Sequence, residues 1–168
     1  MTFDLTKPIT FELEEASLAR AEEWQYLIQV LMSETDTFLV ASTRDGDVIP
    51  EVSDEPAITL LLIAEQGTVS QPVGIASIEN GELGMAILKQ FQGAGLGTNL
   101  VSALLDWAGV VGLETVWLDV QTDNSVAKHI YEKFGFKEIG EEVILTLPSS
   151  RVTALQRMVK QLNNQGEK

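Results

Sequence analysis

Gln92-Gly93-Ala94-Gly95-Leu96-Gly97 follows a strand-like run, Leu83 to Leu88, and opens an apolar helix. Its glycines stand at every second position. Backbone N–H groups at such a turn and helix start have no internal partner. Glycine lets a ligand approach that backbone with no Cβ in the way. The combination makes a cradle for an anion such as phosphate. A dinucleotide fingerprint needs G-x-G-x-x-G, and here its third glycine falls on Thr98. A P-loop needs G-K-[ST], whereas Gly97 is followed by Thr98 and Asn99. Both nucleotide motifs fit badly. The plain alternative is a tight strand-to-helix turn with no ligand.

A second block runs from Asn124 through Ala127 and Tyr131 to Gly135 and Phe136. Asp123 or Asn124 can cap a helix there by accepting from a first-turn N–H. Ala127, Ile130, Tyr131 and Phe134 share one helical face. Gly135 supplies a left-handed stop, and Phe136 can pack back over the last turn. Together the two blocks resemble the GNAT superfamily of acyl-CoA-dependent N-acetyltransferases. Its pyrophosphate loop, Q/R-x-x-G-x-G/A, is matched by Gln92, Gly95 and Gly97. Its second signature, N-x-x-A-x-x-x-Y-x-x-x-G-F, is matched by Asn124, Ala127, Tyr131, Gly135 and Phe136. The resemblance covers Ile58 to Phe136 well and the two ends loosely.

Composition bounds the reading. A chain of 168 residues is the size of one domain with a proper core, spanning 1–168. No apolar run approaches the roughly 20 residues that span a bilayer, and the N-terminal residues lack the layout of a secretory leader. The expectation is a cytoplasmic protein without membrane contact. With no cysteine and one histidine, neither a disulfide nor a structural zinc site is expected, and no metal is assigned. The net charge of −14 argues against a nucleic-acid partner. It permits a cationic one, although an acidic surface is ordinarily just a solvated one. Lys89, Lys128 and Lys133, in or beside the two blocks, run against the global sign.

Period-two alternation predicts a strand over Ile9–Leu13. Ser17 can cap a helix to about Met32, with Leu18, Ala21, Trp24, Ile28 and Leu31 at helical spacing. Ser33 to Pro56 is polar, acidic and turn-rich. Strands are predicted over Ile58–Ile63, Val73–Glu79 and Glu82–Lys89, with Asn80-Gly81 as a hairpin turn. Leu96–Ala108 is apolar nearly all round and so a buried helix. Thr115–Val120 and Phe136–Leu147 read as strands. In Arg151–Leu162, spacing alone suits a helix, but the resemblance implies a final strand hairpinned to the one before it. Residues 163–168 read as a frayed tail. The order predicts a mixed α/β architecture of layers and not a doubly wound sheet. The resemblance implies the GNAT fold: a central mixed sheet of about seven strands with helices on both faces. In it the strands matching Glu82–Lys89 and Thr115–Gln121 splay apart, and thioester and amine meet in the notch.

The resemblance also assigns roles. Acetyl-CoA is the acyl donor. The Ile87 backbone N–H would hold the thioester carbonyl. Ile87, Leu88 and Lys89 would bond the pantetheine arm like an added strand. Gln92, Gly93, Ala94, Gly95, Leu96, Gly97 and Thr98 would hold the pyrophosphate. Asn124, with Ala127 in its motif, would bond the pantetheine amides or cap its helix. Tyr131 is the candidate general acid, because a phenol (pKa about 10) stays protonated beside a thiol of about 8.5. Its bland alternative is a half-buried aromatic. A general base is harder to find. Gly81 and Leu83 occupy the matching face. Glu79 and Glu82 flank the hairpin, about 16 Å from Ile87 along an extended strand for the nearer. Glu34 and Asp36 are candidate bases or acceptor ligands, and a water chain is another possibility. His129 reads as an exposed helix residue. The implied acceptor is a primary amine of a small molecule or protein that attacks the thioester directly, and the acid-rich Ser33–Pro56 segment, on the acceptor side, would favour a cationic one; a monomer or homodimer would handle it. The competing reading is an acyl-CoA-binding sensor or scaffold with little transferase activity.

Overall fold

The computed structural model describes residues 3–34, 56–147 and 149–162. Asp36, most of the acidic stretch before Pro56 and the tail at 163–168 lie outside the described residues. The chain runs β1 (Thr10–Glu15), α1 (Ala21–Glu34), β2 (Ile58–Gln66), β3 (Val69–Glu79), β4 (Glu82–Ile87), α2 (Leu96–Val111), β5 (Thr115–Gln121), α3 (Ser125–Lys133), β6 (Lys137–Thr146) and β7 (Val152–Gln161). The strands form a seven-stranded sheet in the order β1-β2-β3-β4-β5-β7-β6. Neighbours are antiparallel except β4 and β5, which run parallel. This is the mixed architecture that the sequence predicts.

Leu61 to Ala64 in β2 and Val73 to Ala76 in β3 are buried residue after residue. Successive side chains point to opposite faces of a strand, so both faces of the sheet are covered at its middle. α1 and α2 both pack against β3. The outermost strands are different. β6 exposes Glu138, Glu141 and Glu142, and β1 exposes Glu12 and Glu15. Charges along an edge oppose pairing with another chain. Part of the −14 charge therefore guards sheet edges.

Local chemistry explains the turns. Asn80 and Gly81 have φ of 54° and 78°, the left-handed pair of a type I′ hairpin. At the end of α3 the Phe136 N–H bonds Tyr131 O at 3.1 Å, and the Gly135 N–H bonds Glu132 O at 3.0 Å. That pair of bonds is a Schellman stop.

Two sequence expectations need correction. Ser17 is extended and makes no side-chain cap; a 3₁₀ turn, Leu18–Arg20, precedes the α-helix proper. Leu18 is 92% exposed, and α1 buries Leu27 and Leu31 instead. The 3₁₀ geometry rotates Leu18 off the inner face, because it turns 3.0 residues per cycle and not 3.6. The strand after the hairpin ends at Ile87 and not Lys89, because Lys89–Phe91 winds into a second 3₁₀ turn. The last segment is the final strand that the resemblance implies and not the helix that spacing alone suits: β7 pairs with β6 and lies between it and β5. Paired on both edges and buried from Thr153 to Gln156, it has no reason to alternate.

Leu104 in α2 is wholly buried. Leu104→Ala should lower the unfolding free energy by about 2–5 kcal/mol through lost transfer energy and a cavity. Urea denaturation should give a lower midpoint with an unchanged slope.

Candidate active site

The ladder between β4 and β5 holds one register pair, Glu82 opposite Trp117. It is closed by the Trp117 N–H bonded to Gly81 O at 2.9 Å. Beyond it the ladder stops. Backbone groups in an antiparallel strand alternate sides. The Leu88 N–H bonds Val73 O at 2.9 Å and so points to β3. Ile87 therefore turns its N–H and C=O the other way, into the gap that faces β5. Leu88 itself is buried and brings no N–H to that gap. The Ile87 carbonyl accepts from Gln92 Nε2 at 2.8 Å, and the Lys89 N–H donates to Glu34 Oε1 at 2.9 Å.

Packing fixes this strand end. Gly74 lies opposite Ile87, beside a register shift between Leu62 and Ile63. A Cβ on Gly74 would stand 3.2 Å from Leu62 Cβ and 3.3 Å from both Ala86 O and Ile87 Cγ1. Phe91 anchors the following turn, with Phe3 and Phe11 edge-on to its ring at 5.5 and 5.8 Å.

The glycine loop follows directly. Gly93 and Gly95 have φ of 89° and 80°, and a Cβ at either would meet nothing within 4 Å. Their backbone faces open space, as a phosphate cradle requires. Gly95 is the N-cap of α2 and makes no side-chain cap. The first helical bond runs from the Asn99 N–H to Gly95 O at 3.2 Å, so the N–H groups up to Thr98 lie outside the helix ladder. Ala94 is exposed and Leu96 buried. Gly97 has a packing role as well: a Cβ there would stand 3.2 Å from Ile130 Cδ1 and 3.4 Å from Met85 Cε. Its absence lets α2, α3 and β4 converge at one point.

Asn124 caps α3, its Oδ1 accepting from the Ala127 N–H at 3.3 Å. Ala127 packs half-buried against the core. Tyr131 is 6% exposed, with Phe136 edge-on to its ring at 5.8 Å. Desolvation by burial pushes its phenol above the ordinary value, so it is protonated throughout the neutral range. The cation cluster is thinner than the sequence implied. Lys128 Nζ is 2.6 Å from Glu138 Oε2, and this bond raises its pKa. His129 is exposed.

Sequence reading missed one polar group beside the gap. Asp119 lies two residues beyond Trp117 on β5, on the face opposite buried Leu118 and Val120. Arg157, its register partner on β7, grips it with two bonds, Nε to Oδ1 at 2.9 Å and Nη2 to Oδ2 at 3.0 Å. The guanidinium also stacks over Trp117 at 4.1 Å. Period-two alternation along Thr115, Trp117, Asp119 and Gln121 was the available signal. The partner, 38 residues away, was not.

A model of the Acetyltransferase (GNAT) family matches residues 17–136, and the chain belongs to that family. Among curated proteins it is 42% identical over 55 residues to a [Ribosomal protein bS18]-alanine N-acetyltransferase of Haemophilus influenzae, covering 33% of this chain and 37% of that protein. It is 29% identical over 125 residues to an N-alpha-acetyltransferase of Sulfurisphaera tokodaii, covering 73% and 70%. For the first of these, the match spans little more than a third of the relative's length. A solved GNAT-family acetyltransferase of Streptococcus pneumoniae superposes with a TM-score of 0.71 at 26% identity, over 90% of this chain and 99% of that one. Among the described residues no helix is long and apolar enough to cross a membrane.

Gly74→Ala tests the fixing of the strand end. It should cost about 1–3 kcal/mol by overpacking. Displacing Ile87 should also weaken coenzyme A binding, measured by calorimetry on the folded variant.

Proposed function

We propose that this chain is an acetyl-CoA-dependent N-acetyltransferase whose acceptor is a primary amine. The observation that carries this reading is the broken β4–β5 ladder. It leaves the Ile87 edge of β4 unpaired by β5, immediately before a glycine loop at a helix start. An extended arm with amide groups would add to that edge as a strand, while its diphosphate meets the loop N–H groups from Gly93 to Thr98. The donor supplies the activated acyl group. The Ile87 N–H would polarise the thioester carbonyl and hold the oxyanion of the tetrahedral intermediate. Asn124, whose oxygen caps α3, would keep its amide N–H groups for the arm.

Tyr131 would donate a proton to the departing thiolate. A phenol whose pKa is raised stays protonated throughout the neutral range, so burial keeps the proton available on Tyr131 and excludes a base role.

The acceptor follows from the carboxylates. The amine must be neutral to attack. Asp119 is held by Arg157 with two bonds and does not stand ready as a base. An α-amine has a pKa of about 7.7–8.0 and a lysine amine about 10.4. At pH 7.5 roughly a third of the former is neutral, against on the order of 0.1% of the latter. An α-amine of an amino acid, peptide or protein therefore suits a site without a dedicated base. The relatives whose names state alanine and N-alpha acetylation support the same choice.

Free-thiol release from acetyl-CoA against a panel of amines tests this. Release should depend on an α-amine and rise with pH to a plateau near about 8. Tight coenzyme A binding with no amine-dependent release would favour a sensor. Tyr131→Phe should lower kcat about tenfold or more, approaching the roughly hundredfold lower end of the range for general acids, with little change in melting temperature. Full kcat at every pH would remove the acid assignment.

A further inference from the structure

The C-terminal end of α1 carries a carboxylate where simple electrostatics disfavours one. Glu34 is the last residue of that helix, and no basic residue lies in its last turn. A helix C-terminus bears about half a unit of negative charge, and the chain as a whole is at −14. The carboxylate contributes nothing favourable to the helix that carries it. It reaches instead to a backbone N–H 55 residues away, Lys89, at 2.9 Å. That N–H follows the Leu88 N–H that points to β3, and so lies on the gap side of the strand end. The Glu34 side chain is exposed, so water or a cation can replace its present partner.

We propose that Glu34 is a displaceable occupant of the donor site that, once displaced, becomes the ligand for a positive charge on the acceptor. The inference rests on the reading above, in which an amide-bearing donor arm pairs with the end of β4. A single N–H shared between two acceptors bonds both poorly. An arm that takes the Lys89 N–H therefore releases the carboxylate. The freed carboxylate sits at the mouth of the gap where an amine must approach the thioester, on a helix end that strengthens its attraction for a cation. The other described carboxylate beside the gap, Asp119, is neutralised by Arg157. Glu34 thus favours an acceptor that carries a positive charge apart from its attacking amine, which is itself neutral when it attacks. Donor and acceptor binding become coupled, each strengthening the other by the same factor.

Calorimetry with coenzyme A on the wild type, Glu34→Ala and Glu34→Gln tests the donor half. Initial rates with two α-amines of similar size, a cationic amine that carries a second, positively charged group and a neutral amine that carries an uncharged one, test the acceptor half. Glu34→Ala should bind coenzyme A about three- to tenfold more tightly, the effect of removing one competing hydrogen bond. Its KM for the cationic amine should rise about three- to fivefold, with the neutral amine changed less than about 1.5-fold. Glu34→Gln keeps an acceptor oxygen without the charge. It should show the acceptor defect with a smaller gain in donor affinity, and it carries the comparison should the alanine variant fail to fold. Equal or weaker coenzyme A binding by the variants would overturn the proposal while leaving the transferase reading intact. No coenzyme A binding by the wild type would overturn both.

Discussion

A hydrogen-bonded ladder that stops partway through a sheet leaves backbone N–H and C=O groups without partners in the middle of a fold. Such groups are costly when buried and unpaired. Here the ladder between β4 and β5 ends at Glu82 and Trp117. Two of the groups past that point are met by side chains, the Ile87 carbonyl by Gln92 and the Lys89 N–H by Glu34. Both partners are exposed and replaceable. A ligand with its own amide groups can therefore exchange with them at small net cost, whereas a strand locked in a ladder could not open.

The rest of the molecule holds the two strands apart and in place. β4 is fixed on its other side by a continuous antiparallel ladder with β3. The missing Cβ of Gly74 lets that ladder close tightly against Ile87. β5 is fixed by a full antiparallel ladder with β7, reinforced by Asp119, Arg157 and Trp117. Each strand of the gap is thus tied away from the other. At the far end Trp117 Nε1 bonds Asn80 O at 3.3 Å, which pins the hairpin turn where the strands do meet. Gly97 then brings the start of α2 against Met85 and Ile130, so loop, strand and the Tyr131 helix converge.

Charge is distributed by purpose rather than uniformly. Acidic residues line the exposed edge strands, where they oppose aggregation. Lys128 is bound to Glu138, and what the glycine loop itself offers an anion is backbone N–H groups outside the helix ladder. Those groups cost no side-chain entropy on binding.

Much of this was legible in the residues alone. Asn80-Gly81 specified its hairpin, Asn124 its helix cap, and Gly135-Phe136 its helix stop, because each depends on atoms within a few residues of one another. The two motif blocks identified the family for the same reason. What the sequence did not decide is equally specific. Val152, Leu155, Val159 and Leu162 have helical spacing, yet they lie in or just past a strand between two others, because both faces and both edges of that strand are occupied. Leu18 fits a helical face, yet it is exposed, because the first turn is 3₁₀. Asp119 gained Arg157 across 38 residues, and Lys89 gained Glu34 across 55. The sequence by itself determined the turns, the caps and the loop chemistry, which are short-range. Only the tertiary structure decided which edge stays open and which carboxylates lie beside it, because those contacts exist only once distant strands and helices are packed together.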